Sequence, residues 1–223
     1  MVLGRCIERK GLAQRANMKA LTHAVFLLSP ANLGGQRGRM LFNPSAKFLL
    51  AQSLRSGEGA VLAEVFSFVS GLYFRGKATY AQAFARPPRD LAGGFVISPS
   101  EGLISLTERV TVERLRRWAE TSIDANNPAF TAPLLQDAAA LERAYGATTQ
   151  FVLLGSVATD KYVVPLTRVF GDHLYFPAEF LGRGDMSRGS LLLRSARAGQ
   201  ELAYIPVEGA ARRGPRAAAR ATS

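Results

Sequence analysis

The sequence predicts an α/β protein: a three-layer domain with a mainly parallel central sheet and a candidate C-terminal β-hairpin. Three observations predict it. Four apolar runs without alternation, residues 23–28, 95–97, 151–154 and 174–176, suit strands covered on both faces. Segments with apolar residues at helical spacing separate most of these runs. Each run also passes directly into Ser, Pro or Gly and then polar groups, which is how a parallel sheet presents its carboxyl ends to a ligand.

The length of 223 residues allows one good-sized α/β domain, with 48% apolar and 20% charged residues as in a globular protein. A single cysteine, Cys6, excludes an internal disulfide framework and fits a reducing compartment, so a cytoplasmic location is expected. With His23 and His173 as the two histidines, little is left for a zinc site. A carboxylate-bound magnesium needs only one or two acids and stays open, but no metal ligand and no cofactor is singled out. The run 24–28 is too short for a membrane span or a clean signal peptide, so no membrane partner is expected. Met18 is an alternative start, which would make residues 1–17 a mis-called leader.

The net charge of +11 is unevenly placed. Residues 1–20 contribute +4, residues 205–223 contribute +3, and the body keeps +4. The expected organisation is a basic leader over 1–20, one domain over 21–208 and a basic tail over 209–223. Basic tails add salt-sensitive affinity for phosphate backbones, or are simply solvated ends.

In chain order, the first strand enters a glycine-rich basic loop, residues 29–39, containing Ser29, Asn32 and Arg37. It lacks the closing Gly-Lys-Ser/Thr of a Walker loop. Asn43-Pro44 is a cap followed by proline and starts a helix to about Leu54. A second helix covers 61–73, and Tyr80, Ala81 and Phe84 extend the helical pattern toward Pro87-Pro88. Within it Tyr73 and Phe74 read as packing, and Arg75 and Lys77 as the candidate ligand contacts. The strand 95–97 ends in Ser98-Pro99-Ser100-Glu101, echoing Ser29-Pro30. Two such serines either face one crevice or merely terminate strands.

Thr111 caps a helix with Val112, Leu115, Ala119 and Ile123 facing inward and Trp118 beside them; Arg114, Arg116 and Arg117 form a solvated face. Pro133 opens a helix to Tyr145. The strand 151–154 enters Gly155-Ser156, with Thr159 as cap and Asp160 and Lys161 in the first turn of a helix shortened or kinked by Pro165. A helix N-terminus with a lysine beside it is an anion site. The stretch 174–189 is densest in anion-holding groups: Gly182, Gly184 and Gly189 with Arg183, Asp185, Ser187 and Arg188. Residues 191–197 and 201–207 are expected to pair as the hairpin.

These stretches also carry a resemblance. Ser70-Gly71-Leu72-Tyr73-Phe74-Arg75-Gly76-Lys77 with Tyr80-Ala81, residues 96–103, Leu153-Leu154-Gly155-Ser156 with Tyr162, and residues 182–189 together resemble an uncharacterised bacterial domain family. That family is distantly similar to the YaaA-like peroxide-stress proteins and the uracil-DNA-glycosylase-like layered fold. The resemblance spans about residues 22–195 and implies a layered α/β fold and chemistry on nucleobases or nucleic acid. It assigns no catalytic residue, because the glycosylase water-activating acid and its histidine motif are absent in their usual form.

The strand exits therefore gather Ser29, Asn32, Arg37, Arg75, Lys77, Ser98, Ser156, Lys161, Arg183 and Arg188 as candidate ligand contacts, with Asp160, Asp185 and Glu101 as candidate acids or bases. The surplus of bases fits a nucleotide or nucleic acid. Two functions follow: an enzyme, a hydrolase acting on such a substrate, or a binding module that holds it without turnover. No serine–histidine–acid triad is supported, since neither histidine lies in a catalytic motif.

Overall fold

A strand of six apolar residues, β1 (His23–Leu28), lies at the centre of the sheet, in a computed structural model that describes residues 22–210. The basic leader over 1–20, and the tail beyond residue 210, lie outside the described residues. After β1 come α1 (Gln36–Phe42), α2 (Leu49–Arg55), the short β2 (Ala60–Val61), α3 (Leu62–Ser70) and α4 (Leu72–Phe84). Then follow β3 (Gly94–Ile97), β4 (Leu103–Ser105), β5 (Arg109–Val110), α5 (Val112–Glu120) and α6 (Pro128–Tyr145). The chain finishes with β6 (Thr149–Leu154), α7 (Asp160–Phe170), β7 (Leu174–Pro177), α8 (Asp185–Ala198) and β8 (Tyr204–Pro206).

Six strands pair in the order β4-β3-β1-β6-β7-β8. The inner pairs are parallel, with Leu28 opposite Leu154 on one side and Val96 on the other, and the edge strands β4 and β8 run antiparallel. Strand β6 is buried along its whole length and β1 from Ala24 to Leu28, which explains their unbroken apolar runs. Phe151 is in register with Val25, so Phe26, the next residue, points to the other face. Phe26 meets Tyr80 of α4, whereas Phe151 meets Tyr145 of α6 and Phe170 of α7. Two helical layers therefore cover the two faces, the three-layer arrangement expected. No helix among the described residues is long and apolar enough to cross a membrane.

Several local expectations are corrected. The C-terminal antiparallel pair forms between β7 and β8, while residues 191–197 belong to α8. Gly189 lets that helix lie close against α4: a Cβ on Gly189 would stand 2.8 Å from the Leu72 carbonyl oxygen. Residues 36–42 form α1 rather than loop, and Asn43 ends that helix instead of starting the next. Its Oδ1 accepts from the Ser45 N–H, an Asx turn that postpones α2 to Leu49. Helix α6 begins at Pro128, capped by Asn127 onto the Ala129 N–H, and Pro133 lies inside it. Thr111 does cap α5, but Trp118 is the inward residue and Ala119 is exposed.

Candidate crevice at the carboxyl ends of the central strands

Strand β1 leads to β3 on one side of the sheet, and its neighbour β6 leads to β7 on the other. Where adjacent parallel strands send their connections in opposite directions, the following loops part and leave a crevice. The β1 exit is Ser29, whose N–H donates to the Leu154 carbonyl at 3.2 Å. The β6 exit is Gly155, and a Cβ there would lie 3.0 Å from Ser29 Cβ and 3.2 Å from its Oγ. Glycine there lets the two exits run side by side without crowding the Ser29 side chain, which is itself buried.

A cavity of about 360 Å3 opens here, with walls from Asn32, Pro99, Trp118, Ile123, Lys161 and Tyr162. Lys161 stands in the first turn of α7, where unpaired N–H groups and the helix dipole favour negative charge. Its Nζ lies 5.0 Å from the centre of the Tyr162 ring. Trp118 contributes to this wall, and its buried indole N–H has no hydrogen-bond partner. The Asn32 side chain accepts from the Gly34 N–H at 3.0 Å and shapes the loop after β1.

Behind the crevice lies a buried polar cluster. Lys77 is 1% exposed, in the apolar stripe that α4 turns toward the sheet. Its Nζ donates to the Ser29 carbonyl at 2.5 Å and to Ser29 Oγ at 2.8 Å, and sits 4.5 Å from the centre of the Tyr73 ring. Burial pushes the Lys77 ammonium down to about 7; the Arg188 guanidinium adds to this and the Asp185 carboxylate opposes it. The Tyr73 hydroxyl is buried with no hydrogen-bond partner, and burial pushes that phenol up to about 12. Tyr162, shared with the cavity wall, is also pushed up by burial. Arg188 is buried, donates twice to the Phe180 carbonyl and lies 3.6 Å from Asp185, whose side chain is 69% exposed at the start of α8.

The structure therefore brings together two groups of the expected residues: Asn32 and Lys161 at the cavity, and Ser29, Lys77, Asp185 and Arg188 behind it. Ser156 is half-buried in the loop between β6 and α7, and Asp160 is exposed in the first turn of α7. The others have separate positions. Ser98 is fully buried and its Oγ accepts from the Glu101 N–H, a turn contact. The Glu101 carboxylate meets Arg114 at 2.7 Å and Arg117 at 3.8 Å. Arg37 donates to the Phe68 carbonyl, Arg75 is exposed on α4, and exposed Arg183 donates to Ser187 Oγ.

Tyr73, Trp118 and Tyr162 were missed as site residues, having been read as packing or passed over. For Lys77 a sharper signal existed, because Tyr73, Lys77, Tyr80 and Phe84 form a single i, i+4, i+7, i+11 stripe. A lysine inside an apolar stripe is buried with partners or is misplaced. Among the described residues no group of three or more His, Cys, Asp and Glu side chains could hold a metal ion. Fold and crevice together define an α/β protein with a crevice at the switch point between β1 and β6. No protein-family model, curated protein or solved structure matches the chain.

Proposed function

We propose that the protein binds a small anionic ligand of the nucleotide class in the crevice between the β1 and β6 exits. The observation that carries this is the cavity itself. About 360 Å3 of space at the switch point is bounded by a lysine in a helix's first turn and by two aromatic side chains, one with an unpartnered N–H. A phosphate fits the Lys161 end and a flat base fits the Trp118 and Tyr162 end. The volume lies in the range of small-molecule sites and suits one nucleotide better than a duplex. The same reading agrees with the leaning toward nucleobase chemistry that the family resemblance implies.

The test is a thermal-shift screen of nucleoside mono-, di- and triphosphates, repeated with single- and double-stranded DNA and RNA across a salt series. At least one nucleotide is expected to raise the Tm at millimolar concentration, and Lys161→Ala is expected to lose that shift while keeping its own Tm. No shift with any nucleotide overturns the reading. A shift with nucleic acid alone moves the ligand class from nucleotide to strand.

A further inference from the structure

Ser29 and Lys77 form a buried, hydrogen-bonded side-chain pair. Their side chains approach to 2.8 Å, inside the range for direct proton transfer. Lys77 Nζ is held in place by the Ser29 carbonyl and by the Tyr73 and Phe74 rings, at 4.5 and 5.0 Å from their centres. Helix α4 is pinned in turn by its glycine contact with α8, where a Cβ on Gly76 would stand 2.7 Å from the Gly189 carbonyl oxygen. The base is thus oriented by contacts independent of any ligand. Ser29 sits at the exit of the central strand, 7% exposed, with Gly155 close against its side chain and its chain neighbour Pro30 in the cavity wall.

We propose that Ser29 is a catalytic nucleophile with Lys77 as its general base, acting on a carbonyl ester or a similarly activated acyl group. With Lys77 as the free amine, one N–H still donates to the Ser29 carbonyl and the lone pair faces Oγ. The Ser29 hydroxyl hydrogen, otherwise 3.5 Å from the Leu154 carbonyl oxygen, turns to that lone pair. Oγ bonds to the acyl carbon as its proton passes to Nζ. The C–O bond to the leaving alcohol then breaks, and the ammonium returns the proton to the departing oxygen. Water, deprotonated by the same amine, attacks the acyl-serine; the acyl–Oγ bond breaks and Ser29 recovers its proton. The ammonium is unstable in this environment because burial outweighs the attraction of Asp185, with Arg188 of α8 adding to the loss and the Tyr73 phenol staying neutral.

The test is labelling of the full chain with a fluorophosphonate probe, read by intact mass and peptide mapping, with p-nitrophenyl acetate turnover in parallel. One probe mass is expected on the peptide holding Ser29, formed at a rate that rises at least tenfold between pH 6 and 9 with a midpoint near 7. Ser29→Ala and Lys77→Met are expected to lose the label, and Ser98→Ala to keep it. Labelling elsewhere, labelling of Ser29 independent of pH, or Lys77→Met labelling at the wild-type rate overturns the proposal. If Lys77→Met does not fold, the wild-type pH profile decides alone. The probe carries no nucleotide, so its failure is distinct from failure of the nucleotide reading.

Discussion

Replacing Lys77 by Met should change how stability depends on pH. In the folded protein burial holds the Lys77 ammonium down to about 7, against an ordinary 10.5 in the unfolded chain. Between those two values the unfolded chain binds a proton that the folded chain does not. Raising the pH therefore favours the folded state, and the penalty of burying the lysine, complete below pH 7, is relieved toward 10.5. The slope is about 1.4 kcal/mol per pH unit. From pH 7.5 to 9.5 wild type should gain about 3 kcal/mol over Lys77→Met, equivalent to roughly 5–10 °C in Tm for a domain of this size. The window stops below the tyrosines, whose raised values act only at higher pH and cancel in the comparison. The assay is urea unfolding of both proteins at half-unit pH steps. Parallel stability curves would refute the reasoning, because they would mean that Lys77 stays charged inside the fold.

The remaining predictions concern positions away from that lysine. Gly189→Ala should cost about 1–3 kcal/mol, since its Cβ would stand 2.8 Å from both the Leu72 carbonyl oxygen and the Tyr73 Cα, and backbone cannot rotate away; an unchanged urea midpoint would show that α4 and α8 separate freely. Asp137→Ala should cost about 1–2 kcal/mol, because the Leu103 N–H at 2.9 Å loses its acceptor at the start of β4; calorimetry of the two proteins checks it. Glu201→Gln should move the midpoint by less than about 1 kcal/mol, even though it meets both Arg86 nitrogens at 2.8 and 3.0 Å, because the pair is solvent-exposed; a larger loss in urea unfolding would mean the pair fixes the isolated bridge between Ala24 and Arg86.

How much was legible depends on whether a residue's role was local or long-range. The strands β1, β3, β6 and β7 were readable because burial on both faces writes an unbroken apolar run into the sequence, and the α5 start because a cap lies next to its helix. The edge strand β4 carries only three residues and is defined by its partner β3, so nothing local announces it. Residues 191–197 of α8 read as half of a hairpin because periodicity does not separate strand from helix in a short apolar run, and Gly189 just before them read as ligand-approach chemistry. Gly189 instead lets a neighbouring helix approach, and only the chain 113 residues earlier, at Gly76, explains it. The same confusion touched Arg188, read as a ligand fork but spent on the Phe180 carbonyl.

The site was half-legible for a related reason. Sequence placed polar groups at each strand exit and gave most weight to residues 174–189, where they are densest. The fold moves that weight. Only β1 and β6 are neighbours with diverging connections, so the loop after Ser29 and Lys161 of α7 wall one crevice, to which the β3 exit adds Pro99, while Ser98 itself closes a turn onto Glu101. The decisive element is then α4, which no exit motif contains. It delivers Lys77 to Ser29 from 48 residues downstream, and it does so because Gly76 and Gly189 set how closely α4 lies beneath α8. A mutation at that glycine contact would therefore shift the lysine as well as the helix. The Gly189→Ala variant, where it still folds, should label more slowly at Ser29 in proportion to its displacement. A variant with wild-type labelling and lowered stability would instead separate the helix contact from the chemistry of the pair.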